Sequence, residues 1–257
     1  MPINYPSMVK KLPKAPLQEV IFEVRWALDL NPETQHIQDN GYEYAVGKFE
    51  SYIEDKFPVV IKKIPDDFPG YPLHHPVHQF WSAERTWPVV QLGPGIMTLN
   101  DTDKNYIWED TFYPCLKEVL NQLSRAYAKK KTLNFMTYTL RYIDVVKIAD
   151  YDFENWPSFI QKNLNFTFEN QFDARGLLTQ FNFQQTFEQE DGSGLKISLA
   201  NGKNHKQEPV FIWQIEMTQT KKVDLNALLE WVETSHKITS QAFHDICKME
   251  FYDSFNQ

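Results

Sequence analysis

The chain has 257 residues with a formal charge of −8, 42 % hydrophobic and 15 % aromatic residues, nine glycines and two cysteines. That apolar content excludes a disordered chain, and the scarcity of glycine excludes a long flexible linker, so one fused body is expected. The acidic balance excludes a broad phosphate-neutralising surface, and no window is apolar for long enough to span a bilayer as a helix.

In chain order, the opening MPINYPSMVKKLPKAP lacks the unbroken apolar stretch of a signal peptide, and a cytoplasmic location is expected. Phe22, Val24 and Trp26 alternate with Glu23 and Arg25, the period of a strand over 17–27. Tyr42, Val46, Phe49 and Ile53 recur every three or four residues, which predicts a helix over 42–57. A short strand at 59–61, a proline-rich loop over 65–76, strands at 78–83, 87–92 and 96–99, and a helix over 110–129 follow. Two basic runs, Lys10-Lys11 with Lys14 and Lys129-Lys130-Lys131, read as solvated charge, the second at the negative end of a helix dipole.

The order then repeats. Residues 135–148 predict a strand and 156–164 a short helix with Pro157 in its first turn. Strands are expected at 177–187, 195–199 and 210–217, with turns at Asp191-Gly192-Ser193-Gly194 and Asn201-Gly202. A last helix begins after Asp224, a good N-cap, with a break open near Ser235.

Residues 1–132 and 133–257 thus both read strand, helix, three strands, helix. Phe22-Glu23-Val24-Arg25-Trp26 matches Tyr138-Thr139-Leu140-Arg141-Tyr142 in type and order. The expectation is an α+β protein of two layers, in which two pseudo-duplicated β-α-β-β-β-α halves form antiparallel sheet backed by helices. That plan resembles the saddle of TATA-binding-protein-like folds.

Three constellations could carry chemistry. If the halves are duplicated, Arg25 and Arg141 project from equivalent strands, with Glu23 and Asp144 as expected neighbours. They form either structural ion pairs or a clamp for an anion or carboxylate on the open face. His74, His75 and His78 offer three imidazoles within five residues, but Pro76 stiffens the segment and no cysteine or carboxylate stands at zinc-site spacing. A polar loop is the reading, and no metal or other cofactor is expected. His236 and His244 lie on the last helix beside Glu233 and Asp245 without the spacing of a zinc-protease helix. Gly93-Pro94-Gly95 marks a bulge or sharp bend, since Pro94 removes an amide that a phosphate loop would need. The dense strand aromatics are assigned to packing. Cys115 and Cys247 lie in helical patterns as buried, reduced thiols.

The segments Pro16–Trp26, Gln91–Asn100 and Leu140–Asp144 (PLQEVIFEVRW, QLGPGIMTLN and LRYID) resemble a sporadically distributed prokaryotic family of uncharacterised proteins of roughly this length. Gly-Pro-Gly is the most specific piece, and the family commonly has Asn where this chain has Asp144. The resemblance implies no catalytic residue. Its patchy distribution implies mobile-island genes serving phage defence or toxin neutralisation.

No catalytic signature is present, and a non-enzymatic binding protein is therefore expected: a defence accessory, antitoxin or immunity component whose partner is another protein, with homo-oligomerisation open. The alternative is an enzyme or a nucleotide- or anion-binding sensor using a cleft between the halves. Nucleic acid and membrane are not expected partners.

Overall fold

A computed structural model describes residues 11–33, 35–65, 70–102, 104–167 and 175–256. The opening ten residues, with Lys10, and residues 66–69 of the proline-rich loop lie outside that set. Strand-period and helix-period segments separate cleanly along the chain because each must bury one face. They yield a large antiparallel sheet backed by helices, the expected α+β class. Its strands are hydrogen-bonded in the order β4-β5-β6-β7-β1-β8-β11-β10-β9. Among the described residues no helix is long and apolar enough to cross a membrane.

The chain divides into two compact units that interleave in sequence, instead of changing over once near residue 132. The first comprises residues 20–140 and 218–234. It holds most of β1 (Leu17–Trp26), a two-residue ladder of β2 (Asp29–Leu30) with β3 (Ile37–Gln38), and α1 (Tyr42–Ile53). These are followed by β4 (Val59–Lys62), β5 (His78–Ala83), β6 (Thr86–Gly93), β7 (Ile96–Asp101) and α2 (Tyr113–Tyr127). Val20, Phe22, Val24 and Trp26 are buried while the residues between them are not, the alternation expected of a strand with one covered face. Register fixes Glu23 opposite Thr98 and Phe22 opposite Leu99. Phe49 of α1 meets Phe80 of β5 edge-on at 5.4 Å, packing the helix on the sheet. Arg125 lies 4.1 Å from the Tyr52 ring and Lys56 pairs with Glu118 at 3.1 Å, tying α1 to α2. A π-helical turn, Trp108–Phe112, leads into α2.

The second unit comprises residues 1–19, 141–217 and 235–257. It contains the later part of β8 (Phe135–Lys147), α3 (Trp156–Asn163), β9 (Asn182–Glu188), β10 (Gly194–Lys203), most of β11 (Pro209–Val223), the later half of α4 (Leu225–Ile246) and α5 (Met249–Ser254). Asn155 caps α3 by accepting from the Ser158 amide at 2.9 Å. Its core gathers Trp156, Phe159, Phe211, Trp213, Ile215, Phe251 and Phe255. Stacking of Trp213 on Phe243 at 6.0 Å fastens α4 to β11.

Two local expectations change, and one open alternative is decided. Asn201-Gly202 lies within β10, because the Asn201 amide accepts from Phe181 N and donates to Thr179 O across the strand edge. The turn falls at Asn204–Glu208 instead, where Asn204 Oδ1 accepts from the amides of Lys206 and Glu208. β9 starts at Asn182, five residues later than the apolar run suggests, and Leu177 is 87 % exposed. α4 runs unbroken through Ser235, and Asp224 Oδ1 accepts from the Ala227 amide near its start.

Candidate binding face

Sheet residues that point away from the helices make up the polar face, and in the second unit that face centres on Glu216. Trp213, Ile215 and Met217 are buried on the helix side of β11, so Glu216 projects the other way. Its side chain is only 8 % exposed, and it is held by two cations: Arg141 Nε on Oε2, and Lys196 Nζ at 2.6 Å from Oε1. Burial alone would raise its pKa, but the Lys196 and Arg141 bonds outweigh that and keep the carboxyl below the usual range. Two cations thus meet one carboxylate, in a chain whose total charge is −8. Arg141 and Lys196 are 36 % and 30 % exposed, within reach of solvent. Among the described residues, Arg141 bonds Glu216 through its Nε.

In the first unit Arg25 Nε bonds Glu23 Oε1 at 2.8 Å, with side chains 43 % and 32 % exposed. Two positions apart on β1 they share a face, and such a solvated pair contributes little. Next to Glu23 runs a ladder of neutral donors and acceptors: Gln79 Nε2 donates to Gln91 Oε1 at 2.9 Å, Gln91 Nε2 to Thr98 Oγ1 at 3.1 Å, and Thr98 Oγ1 to Asn100 Oδ1 at 2.8 Å.

Arg25 and Glu23 are thus brought together, whereas Arg141 pairs with Glu216 and not with Asp144. Three residues along a strand reverse the side, and from Tyr138 onward the buried positions of β8 are Tyr138, Leu140, Asp144 and Val146. Asp144 is 4 % exposed, and burial alone pushes its carboxyl up to about 8. Glu216 and Lys196 are partners that single-strand reasoning missed. Each stands on a strand separate from Arg141, and only the register makes them neighbours.

The clustered imidazoles are not brought together. His74 has φ 54° and its Nδ1 lies 3.1 Å from Gly95 O. His78 Nδ1 lies 2.7 Å from the Tyr42 hydroxyl, and burial, then Lys62, lowers its pKa. His75 contributes its backbone carbonyl, against which Gly93 packs so closely that an added Cβ would sit 1.9 Å from the oxygen. Among the described residues no group of three or more His, Cys, Asp or Glu side chains gathers to hold a metal.

On the last helix, His236 is paired with the Tyr142 hydroxyl at 2.9 Å, and burial lowers its pKa to about 3. His244 is 38 % exposed and contacts Asp245 at 3.2 Å, beside a groove that Cys247 also lines. Burial pushes the Cys247 thiol up to about 12 and that of Cys115 to about 11, so neither supplies a thiolate nucleophile.

A second constellation that the sequence did not disclose explains the Gly-Pro-Gly segment. The side chain of Asp39 is fully buried in the first unit, and its Oδ2 accepts from Trp26 Nε1 at 2.9 Å, Gly95 N at 3.0 Å and Tyr127 Oη at 2.8 Å. Its Oδ1 accepts from Gly41 N at 3.2 Å and lies 3.0 Å from Lys131 Nζ. Gly95, at φ 78°, turns its amide toward the carboxylate and its carbonyl toward the Trp26 amide. This is an anchor joining β1, the β6–β7 turn, the start of α1 and the end of α2. Its sequence trace is Asp39-Asn40-Gly41 ahead of a helix, a turn signal that does not announce distant donors.

The site therefore brings two part-exposed cations, Arg141 and Lys196, to one buried carboxylate, while Asp144, His236 and the two thiols are buried elsewhere. In comparisons with protein-family models, curated proteins and solved structures, nothing matches this chain, and the family resemblance stands on the three quoted segments.

Proposed function

We propose that this chain is a non-enzymatic binding protein whose polar sheet face receives a carboxylate of a partner protein at Arg141 and Lys196. The observation that carries the reading is the meeting of two part-exposed cations, Arg141 and Lys196, at the one buried carboxylate of Glu216. A carboxylate suits a guanidinium fork because two parallel N–H donors match its two oxygens. Arg25, more exposed and paired with Glu23, serves as a peripheral contact. The β1–β8 pair is flanked by β7-β6-β5 on one side and β11-β10-β9 on the other, and this favours duplicated halves and the saddle plan. The family resemblance makes a defence system or toxin pair the setting.

The test is capture from the native host by tagged wild type and by Arg141→Ala/Lys196→Ala, with thermal unfolding of both. A specific acidic partner that the double variant fails to hold, while the variant still unfolds cooperatively, supports the reading. Equal capture by both chains refutes it. Stabilisation by nucleotides or phosphate in place of a protein would turn the same cations to an anion sensor.

A further inference from the structure

The two ends of the strand order are built differently. β4 has only four residues, ends at Lys62 and is followed by Lys63, with Pro58 before it and Pro65 after it. Short length, lysine and proline are the usual guards of a sheet edge against pairing with another chain. Among the described residues β9 ends the order on the other side, and it carries none of those guards. It is seven residues long, with every position except Phe183 exposed. From Gly176 to Phe187 there is no charged residue, in a chain that is 23 % charged. Phe187 is 44 % exposed, a large apolar side chain on an unguarded strand.

The segment Asn182-Phe183-Gln184-Gln185-Thr186-Phe187-Glu188 is also complementary to itself. When it runs antiparallel to a second copy with Gln185 at the two-fold axis, Phe183 of one copy faces Phe187 of the other, twice. Gln184 faces Thr186, and Glu188 faces the neutral Asn182. No like charges oppose each other, and both aromatic pairs fall on the face where Phe183 already packs edge-on against Phe166 at 4.8 Å. The added strand would cover Phe187 and satisfy the outward amides and carbonyls of β9. From this unguarded, self-complementary edge we infer that β9 pairs antiparallel with β9 of a second copy of this chain, giving a two-fold dimer centred on Gln185.

Sedimentation velocity of the full chain over ~1–200 μM tests the dimer, a range that spans micromolar dissociation constants. Wild type should move from monomer to dimer across it. Gln185→Lys and Gln185→Glu each place like charges across the axis and should weaken association about tenfold, while their equimolar mixture should associate at least as tightly as wild type. Position 185 is exposed, so neither change disturbs the core. Gln185→Cys gives a second reading: opposed strand residues lie at disulfide distance, and oxidised glutathione should cross-link the copies. A wild type that stays monomeric throughout, charge variants that dimerise as well as wild type, or a Gln185→Cys chain that fails to cross-link each overturn the inference.

Discussion

Replacing Asp39 by alanine should be among the costliest single changes in the first unit, and its size follows from the donors left behind. Trp26 and Tyr127 are 1 % and 0 % exposed, and the Gly95 amide lies in a buried turn, so water is poorly placed to replace the lost carboxylate. Three buried donors at roughly 1–3 kcal/mol each, reduced for local relaxation, give a loss of about 3–6 kcal/mol. Lys131 softens the blow, since it also pairs with Asp29 at 2.9 Å. For a chain of this size about 2–4 °C of melting temperature accompanies each kcal/mol, so calorimetry should show a fall of about 10–20 °C. Asp39→Asn keeps one acceptor oxygen and loses the charge pairing with Lys131, and it should cost about 2 kcal/mol in urea unfolding. Asp39→Ala with a melting point less than ~3 °C below wild type would refute the reasoning, because no arrangement that strands three buried donors is that cheap.

Asp144, with its carboxyl raised by burial to about 8, contributes stability when protonated and loses it as pH rises from its unfolded value toward 8. Asp144→Asn should therefore match wild type near pH 4 and exceed it by roughly 3–4 kcal/mol at pH 7, a difference that urea titrations across pH would read. His236 has the opposite sign. Its pKa, lowered to about 3, makes stability present above the unfolded value of 6.5 and lost as pH falls below it. His236→Gln should flatten the acid limb between pH 6.5 and 4, and an unchanged limb would remove the imidazole from the account. Gly93→Ala puts a methyl 1.9 Å from the His75 carbonyl oxygen, a backbone atom that cannot swing aside. It should lower the melting point by more than Gly47→Ala, where nothing lies within 4 Å of the added methyl.

Sheet residues near Arg141 show how far local patterning reaches. Alternation from Tyr138 to Val146 was enough to assign β8, to face its aromatics inward and to send Arg141 to the other side. The same period separates Arg141 from Asp144, since an odd interval reverses the face, so the expected Arg141–Asp144 neighbourhood conflicted with the strand that carried it. Turn and cap residues were equally informative where the signal was local: Pro157 stands in the first turn of α3, and Asp224 before α4 acts as a cap. Asn201-Gly202 misled because a turn-forming dipeptide was instead absorbed into β10 by side-chain bonds to residues some twenty positions away.

Sequence alone determined the element types, most of their limits and which face of each is buried, because periods of 2.0 and 3.6 residues are properties of a segment by itself. Tertiary structure alone decided that Lys196 and Glu216 meet Arg141, that Asp39 collects donors from Trp26 to Lys131, and that the clustered imidazoles point to separate partners. Those outcomes depend on strand register and on helices docking across dozens of intervening residues, where a shift of one position exchanges an exposed side chain for a buried one.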